Sequence, residues 1–348
     1  MKQHIGLIDV DGHNYPNLPL MKLSAWHKQK GDFVEWYNPL KHGHPFDPLD
    51  KVYMSKVFSF TDDYPYFVNA NEVIKGGSGY CISLVGGKEV YNKEADYNLS
   101  DEVEHIYPDY TLYNITDTAY GFMSRGCPRG CDFCHVKAKE GIVSHKVADL
   151  SEFWNGQKNI VLCDPNTLAC KDWRNILQQL IDSGASVNFN QGLDIRLMTE
   201  EKAEMLSRVK LKNVHFAWDN YQDKERIVPK FEMFKKITNI DIRKTGVYVL
   251  TNFNTSIEQD LDRIYTLRDI GYFPDVRIYN KMDFVQVDKN GKPTRLKPKH
   301  ELLMKYDADQ IEHFRIVWKM QRWVNMRRMF MSVPRFEEYL NGKQNDGE

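Results

Sequence analysis

Residues 124–135 have the sequence SRGCPRGCDFCH, in which Cys127, Cys131 and Cys134 are spaced C-x-x-x-C-x-x-C. Two glycines and a proline among the cysteines favour a turning backbone, because glycine tolerates conformations that other residues avoid and proline fixes its own φ. Such a loop wraps three thiols around one centre and exposes amides toward thiolate sulfur. The spacing therefore predicts a metal or cluster site.

Four kinds of site are compatible with this cysteine loop. Cys131 to His135 has the C-x-x-C-H pattern of covalent haem attachment, but that chemistry belongs to exported proteins and the first residues lack the pattern of a secretory signal. Zinc on the three cysteines and His135 has suitable ligand types, although a structural zinc usually draws its second pair from farther away. Three metal-free thiols this close would invite oxidation or metal capture. We favour an iron–sulfur cluster, on three thiolates where four are usual.

The cysteine loop opens a regular alternation of strands and helices, which is typical of a parallel α/β sheet. Right-handed crossovers place the helices outside, and a series of such units curls toward a barrel with functional loops at the carboxyl ends of its strands. The predicted strands are residues 120–124, 159–163, 186–190, 213–218, 246–251 and 275–279. The predicted helices include residues 172–183, 200–208 and 257–270. The loop follows the first of these strands.

The N-terminal region also alternates short apolar runs with loops. The predicted elements are strands at residues 4–9, 33–37, 51–58 and 72–74 and an amphipathic helix at residues 18–29. Gly76-Gly77-Ser78-Gly79 is interpreted as a turn, because its spacing differs from the dinucleotide-binding pattern G-x-G-x-x-G.

Changes in pattern along the chain suggest three segments. Residues 85–118 are polar and rich in tyrosine, which indicates an irregular connection. After residue 285 the order weakens before a predicted helix over residues 308–330. The predicted organisation is an α/β domain over 1–115, a second α/β domain over 116–285 and a C-terminal helical extension over 286–348.

The composition is that of a globular protein. The 348 residues are 42% apolar and 27% charged with a formal net charge of −1, which excludes a disordered chain and a uniformly basic coat. No stretch approaches the roughly 18 apolar residues of a spanning helix, so we expect a cytoplasmic protein without membrane contact. Cys81, Cys163 and Cys170 lie in or beside apolar stretches and are interpreted as buried side chains.

The cysteine loop resembles that of the radical S-adenosylmethionine enzymes, whose hallmark is the same spacing with an aromatic residue, here Phe133, before the last cysteine. The resemblance covers residues 118–285, where six strand–helix units are similar to the family's partial (β/α)6 barrel of the TIM type. It implies a [4Fe–4S] cluster held by Cys127, Cys131 and Cys134, with S-adenosylmethionine chelating the open iron. It also implies reductive cleavage of S-adenosylmethionine to a 5′-deoxyadenosyl radical that abstracts hydrogen from a substrate.

Polar side chains after the later predicted strands are the candidates for contacts to S-adenosylmethionine, since the carboxyl ends of barrel strands carry functional loops. The family often has Gly-Gly-Glu after the second strand, and that segment is absent here. Arg196 has a second interpretation, a structural ion pair with Asp194 or Asp219. Together with Phe133, the candidates are Asp164, Asn166, Asn190, Gln191, Asp194, Arg196, Asp219 and Asn252.

The N-terminal region resembles the cobalamin-binding-like, Rossmann-like domain that precedes the barrel in one class of these enzymes. The resemblance rests on the strand–loop–helix start and on the later strand followed by Gly76-Gly77. Cobalamin proteins that supply a histidine ligand use D-x-H-x-x-G, and here residues 11–16, DGHNYP, end in proline. Fold-level analogy alone supports the cofactor, so a cofactor-free domain and a substrate-holding domain are alternatives to a cobalamin-binding one.

The sequence thus predicts a radical S-adenosylmethionine enzyme that modifies an unidentified substrate, with cobalamin-dependent methyl transfer among the outcomes. An electron donor such as flavodoxin or ferredoxin is the expected partner.

The rival hypothesis is a zinc-stabilised nucleic-acid-binding protein without catalysis. Residues 291–330 carry a charge of +6, against −7 for the remainder, and their predicted helix contains Trp318 and Trp323 for contacts to bases. The same helix is also compatible with an amphipathic segment whose tryptophans pack onto the barrel. The enzyme hypothesis itself leaves RNA open as a substrate.

Overall fold

The computed structural model describes residues 2–85, 88–288 and 292–344. The chain divides into two compact units, Met1–Gln191 and Gly192–Glu348. Both contain strands joined through helices, which confirms the predicted α/β class. The finer domain limits at residues 115 and 285 stay predictions. No helix within the described ranges has both the length and the apolar character that crossing a membrane requires.

The strands form two larger sheets and three short antiparallel pairs. In chain order, the strands are β1 (His4–Asp9), β2 (Phe33–Trp36), β3 (Leu49–Ser55), β4 (Ala70–Gly76), β5 (Ile82–Val85), β6 (Lys88–Tyr91), β7 (Thr118–Gly121), β8 (Ser124–Arg125), β9 (His145–Lys146), β10 (Asn159–Leu162), β11 (Ser186–Phe189), β12 (Leu211–Ala217), β13 (Thr245–Thr251), β14 (Pro274–Ile278), β15 (Val285–Val287) and β16 (Pro293–Leu296).

The α-helices connect these strands and extend the chain after the last of them. In order, they are α1 (Leu18–Gln29), α2 (Pro39–His42), α3 (Ser78–Cys81), α4 (Asp101–Glu104), α5 (Val136–Glu140), α6 (Trp173–Ser183), α7 (Glu200–Arg208), α8 (Lys224–Thr238), α9 (Ile257–Asp269), α10 (Lys281–Phe284), α11 (Lys299–Leu303), α12 (Ala308–Asn325), α13 (Arg327–Ser332) and α14 (Phe336–Gln344).

The first sheet has the order β2–β1–β3–β4, with all its strands parallel. Helix α1 packs on it, beginning where Asn17 accepts a hydrogen bond from the N–H of Leu20. Leu20 and Leu23 are buried with Ile5 and Leu7 of β1 in one apolar cluster. The helix has the predicted bounds, because both its cap and its apolar face are local features of the sequence.

The second sheet has the order β14–β13–β12–β11–β10–β7, in which sequence neighbours are also spatial neighbours. The recorded pairings within each unit are parallel. All six predicted strands are present, and their ends differ from the prediction by at most three residues. Within each unit, parallel strands in sequential order place their carboxyl ends at one edge, where the loops that carry that unit's candidate residues begin.

Two helical segments differ from the sequence prediction. Helix α8 is implied by the predicted strand–helix series but was given no bounds, and it contains Pro229, a residue type that usually ends a helix. The predicted helix over residues 308–330 is divided into α12 and α13, because Met326 leaves the helical conformation with φ −89° and ψ 86°. Asn325 at the end of α12 accepts a hydrogen bond from the N–H of Val276 in β14 at 2.9 Å. The division therefore depends on a contact across the fold.

The predicted irregular connection over residues 85–118 is more ordered than expected. It contains β6, which pairs with β5 in an antiparallel hairpin, and the short helix α4. Strands of four residues are too short to produce a clear period in a sequence. In the preceding turn, Gly77 has φ +95°, and a Cβ atom there would lie 2.4 Å from the carbonyl oxygen of Lys56. That glycine therefore serves close backbone packing.

Candidate functional site

Asp164, which follows β10, holds the chain at the entrance to the cysteine loop. Its carboxylate accepts hydrogen bonds from the N–H groups of Met123 and Ser124, both at 2.8 Å, and from the hydroxyl of Ser124. Because these amides bond to Asp164, β7 ends at Gly121 instead of at Ser124 as predicted. Burial raises the pKa of Asp164 to about 6, against the effect of these hydrogen bonds. Asp164 thus supports the loop from a buried position.

Gly126 lets the cysteine loop start in close contact with the chain that follows α5. Its φ is +84°, and a Cβ atom there would lie 2.2 Å from the carbonyl oxygen of Val143. The Gly126 N–H donates to Glu140 Oε2 at 3.3 Å, and the N–H of Cys127 donates to the carbonyl of Gly141 at 3.1 Å. These contacts fix the backbone at the first cysteine.

We expect Gly126→Ala to destabilise the protein by about 1–3 kcal/mol, since the methyl group overlaps the carbonyl of Val143 and alanine disfavours positive φ. Urea unfolding measures the cost. Gly184→Ala is the matched control, because Gly184 has φ +61° and ψ 1° in the left-handed region, and no atom of the described residues lies within 4 Å of an added Cβ. That variant should lose only about 1 kcal/mol. Equal losses in the two variants would show that close packing at Gly126 is unimportant.

The three thiols of the loop interact with one another. Cys127 and Cys131 are half-buried, Cys134 is more exposed, and the N–H of Cys134 donates to the carbonyl of Cys131 at 3.1 Å. Dehydration of the thiol raises the pKa of Cys134 to about 11, and charge on Cys131 and Cys127 acts in the same direction. The side chain of Asn166 donates to Cys127 Sγ at 3.5 Å. Phe133 is half-buried between the last two cysteines of the loop.

Zinc and an iron–sulfur cluster need different ligand sets from this loop. A structural zinc ion takes four ligands, so it would need His135 beside the three thiols. In a four-iron cluster each thiolate binds a different iron, so the three thiols suffice and one iron stays open. The three cysteines alone therefore meet the need of a cluster with an open iron.

Within the described parts of the chain, His4, Glu35 and His42 do lie within 4.8 Å of one another. His4 Nε2 lies 2.8 Å from Glu35 Oε1, and the N–H of Asn38 donates to Nδ1 of His42 at 2.9 Å. His42 Nε2 lies 3.2 Å from the same carboxylate oxygen but has no hydrogen-bond partner among the described residues. Burial acts to raise the pKa of Glu35, but Lys41 and the two histidines hold it at about 2. We assign no metal ion to these residues.

The β5–β6 hairpin and the residues after it anchor the cysteine loop. His135 Nδ1 lies 2.6 Å from Glu89 Oε2, and Lys139 of α5 donates to Asp96 Oδ1 at 2.8 Å and to Cys81 Sγ at 3.3 Å. Cys81 is only 1% exposed, as expected for a buried thiol outside the site. The sequence did not indicate these contacts, because their partners are more than forty positions apart.

Strand β11 brings a further polar residue to the first unit. Asn190 and Gln191, both predicted as ligand contacts, follow β11 and are exposed. Asn188 within the strand was not selected, yet its Oδ1 is buried and has no hydrogen-bond partner in the described part of the protein. The sequence signal was an asparagine between two buried apolar residues, Val187 and Phe189. Asn188 therefore joins the candidates for ligand contact.

In the second unit, charged side chains surround Asp219, which follows β12. Asp194 Oδ1 accepts a hydrogen bond from Arg196 Nε at 2.8 Å, so the predicted ion pair with Asp194 is present. Arg196 Nη1 also lies 3.7 Å from Asp223 Oδ2. Burial raises the pKa of Asp219 to about 6, with Arg196 and Arg263 acting in the opposite direction. Buried carboxylates with shifted pKa values are typical of functional sites.

We expect Asp219→Asn to stabilise the protein at alkaline pH. Folding raises the pKa of this carboxyl group from about 3.9 in the unfolded chain to about 6. Its contribution to the stability of the folded state is therefore complete below about pH 3.9 and is lost as the pH rises through about 6. The variant should gain about 1–2 kcal/mol at pH 8 and less at pH 5. Urea unfolding at the two pH values measures the gain. A variant less stable than wild type at pH 8 would contradict the assignment.

Arg263 of α9 is a positioning residue that the sequence analysis did not select. It is fully buried and donates to the carbonyl of Trp218 at 2.6 Å and to that of Leu250 at 2.7 Å, which links the ends of β12 and β13. Asp260 pairs with the same guanidinium. The available signal was an aspartate and an arginine three positions apart on the apolar face of a helix.

Asn252 supports the same edge of the sheet. Its backbone is left-handed, with φ 59°, and its side-chain N–H donates to the carbonyl of Tyr279 at 3.0 Å. The residue was predicted as a ligand contact, and the structure gives its amide nitrogen a partner within the protein.

Comparison with known proteins gives no relative: no protein-family model matches the chain, and no curated protein matches it. The indications of function are therefore chemical. They are three interacting thiols in an anchored loop, a buried carbonyl oxygen of Asn188 and a buried carboxylate at Asp219.

Proposed function

We propose that the protein is a radical S-adenosylmethionine enzyme whose [4Fe–4S] cluster is bound by Cys127, Cys131 and Cys134. The observation that carries the proposal is the loop with Cys127, Cys131 and Cys134, whose backbone Asp164 and Gly126 hold directly after the first strand of a sequentially ordered sheet. Three ligands leave one iron open, and an open position is characteristic of metal sites that act on a substrate.

The residues of the loop suit this cluster. Thiolates are its usual ligands, and the N–H that Asn166 donates to Cys127 Sγ offsets negative charge on that sulfur. When bound, the cluster and S-adenosylmethionine supply the electron transfer that releases methionine and a 5′-deoxyadenosyl radical. Asp164 and Gly126 hold the backbone of the first cysteine, so little ordering is needed when the ligands bind.

Each unit offers polar groups for the organic cofactor or the substrate. In the first unit, the amides of Asn188, Asn190 and Gln191 suit hydrogen bonds to amino, carboxylate or ribose groups. In the second unit, Arg196 suits a carboxylate, and Asp219 suits an amino or hydroxyl group. A buried carboxylate with a pKa of about 6 is also able to hold or release a proton near neutral pH.

We infer the finer fold from the strand orders. The order β2–β1–β3–β4 supports a Rossmann-like, cobalamin-binding-like domain, and six sequential strands support a partial (β/α)6 barrel with a C-terminal helical extension.

The cobalamin hypothesis is tested at the carboxyl ends of β1 and β3, where such a sheet binds ligands. His13 packs on Trp36 with ring centroids 4.1 Å apart, and the hydroxyl of Tyr113 donates to Asp9 at 2.6 Å. These contacts lie where such a sheet binds a ligand, and we assign no step to cobalamin.

The rival nucleic-acid hypothesis has less support. Trp323 is fully buried in an apolar cluster and is not available to stack on a base, and Trp318 is half-buried beside Phe314. Arg315 lies 3.4 Å from Glu312 on the surface of α12. These contacts favour an amphipathic helix that packs on its own unit.

The experiment that tests the proposed function is the detection of 5′-deoxyadenosine. After anaerobic reconstitution with iron and sulfide, the protein is incubated with S-adenosylmethionine and either dithionite or a flavodoxin or ferredoxin donor. The proposal predicts 5′-deoxyadenosine by mass spectrometry. A cluster-loaded protein that forms neither this product nor S-adenosylhomocysteine would contradict it.

A further inference from the structure

A cleft of about 380 Å³ lies at the amino ends of β12, β13 and β14. These strands are parallel, so the cleft is at the opposite edge from Asp219 and Asn252, which follow the carboxyl ends of β12 and β13. Its volume is within the range of about 300–1,000 Å³ that is usual for small-molecule sites. The proposed radical chemistry makes no use of this edge.

The cleft has an excess of positive charge. Arg243, Lys244 and Arg327 line it, and Arg243 is paired with Asp241 at 2.6 Å. Among the described residues, Lys244 and Arg327 have no carboxylate partner; their recorded polar contacts are with the carbonyls of Leu211 and Arg243. An anion bound between these two side chains would provide the missing opposite charge.

The one acid that lines the cleft is already engaged. Asp275 accepts hydrogen bonds from Arg277 at 2.8 Å and from the side-chain amide of Asn325 at 3.0 Å. Arg277, which does not line the cleft, therefore balances the charge of Asp275. The charges of Lys244 and Arg327 are left without a balancing carboxylate among the residues that line the cleft.

The rest of the wall combines an aromatic ring with an unsatisfied polar atom. Phe273 lines the cleft, and the guanidinium of Arg327 lies over its ring at 4.3 Å. His215 stacks on Tyr248, and its buried Nδ1 has no hydrogen-bond partner in the part of the chain that the structure describes. A Cβ atom at Gly246 would lie 2.8 Å from that nitrogen, so glycine keeps the space beside it open.

We propose that this cleft is a second binding site, specific for a small phosphate monoester such as a sugar phosphate. Lys244 and Arg327 bind the phosphate oxygens, since a guanidinium and an ammonium suit a group with several charged oxygens. Phe273 and the neighbouring amides contact the organic part. The volume exceeds the need of a bare phosphate ion, which favours an ester.

The test is isothermal titration calorimetry of the full chain with ribose 5-phosphate, with ribose and inorganic phosphate in parallel. Ribose 5-phosphate should bind and ribose should not. Arg327→Ala and Lys244→Ala should each weaken binding by about tenfold or more, because each removes a charge-assisted hydrogen bond. Arg315→Ala, an exposed arginine of α12 outside the cleft, is the matched control and should bind like wild type.

Thermal unfolding of each variant establishes whether it is folded. If Arg327→Ala does not fold, Lys244→Ala still tests the proposal. Equal binding of ribose 5-phosphate by wild type and both cleft variants would overturn the proposal. So would the absence of binding, or binding of inorganic phosphate alone. None of these outcomes depends on cluster loading, so the test is separate from that of the proposed function.

Discussion

Cys131→Ser should lose the cluster and all formation of 5′-deoxyadenosine. The three thiolates are the only protein ligands that we assign to the cluster, and serine is a poor replacement for a thiolate on iron. Bound iron and sulfide, measured after anaerobic reconstitution and desalting, should fall to the level of the blank. The 5′-deoxyadenosine product should fall with them.

Cys170→Ala is the matched control for this variant. Cys170 is 1% exposed and lies outside the cysteine loop, so its loss should leave iron, sulfide and product near wild-type values. If Cys131→Ser retained the full iron content, or if Cys170→Ala lost it, the assignment of the three ligands would be wrong.

Arg263→Met should destabilise the protein by about 3–5 kcal/mol. The substitution leaves the carboxylate of Asp260 buried without its partner and removes hydrogen bonds to the carbonyls of Trp218 and Leu250. Breaking a buried ion pair from one side has a cost of this size. Urea unfolding followed by circular dichroism measures the change.

An exposed ion pair with the same spacing controls for the loss of an arginine from a helix. Arg315 and Glu312 are also three residues apart, but both are exposed, so Arg315→Met should cost at most about 1 kcal/mol. Asp260→Asn combined with Arg263→Met should recover part of the loss, because no buried charge is then left alone. A similar cost for the two arginines would contradict a structural role for Arg263.

Local signals in the sequence were sufficient for much of the fold. Helix α1 has the predicted bounds because Asn17 caps it and its apolar residues recur at helical spacing. Helix α7 also has its predicted bounds, and Thr199 caps it through the N–H of Lys202. The parallel strands were found because each is a short apolar run between turn residues.

The errors arose where distant residues decide the local structure. The division of the C-terminal helix at Met326 accompanies contacts between Asn325 and β14, about fifty positions earlier in the chain. The contact of Asp164 with a ligand stays a prediction, but the sequence did not indicate that its carboxylate accepts hydrogen bonds from the amides of Met123 and Ser124, about forty positions away. A single sequence shows which residues can form hydrogen bonds, and the tertiary fold selects their partners.

The same limit applies to the candidate site. The cysteine spacing alone indicated the loop, whereas its supports at Gly126 and Lys139 depend on contacts with residues that the pattern does not identify. Asn188 belongs to the polar stretch 188–196 but was not selected as a site residue, and Arg263 was not selected because a polar residue in an apolar stretch usually has a structural explanation. Arg263 does have a structural role, since it links the ends of β12 and β13. That role still affects the site, because Asp219 follows β12.

The electron paramagnetic resonance spectrum of the reconstituted, dithionite-reduced protein, recorded before and after addition of S-adenosylmethionine, tests the central claim most directly. We predict the signal of a reduced [4Fe–4S] cluster, with a spectrum that changes on addition because S-adenosylmethionine binds the open iron. A protein that binds zinc without forming a cluster, or a cluster whose spectrum is unchanged by S-adenosylmethionine, would contradict the account.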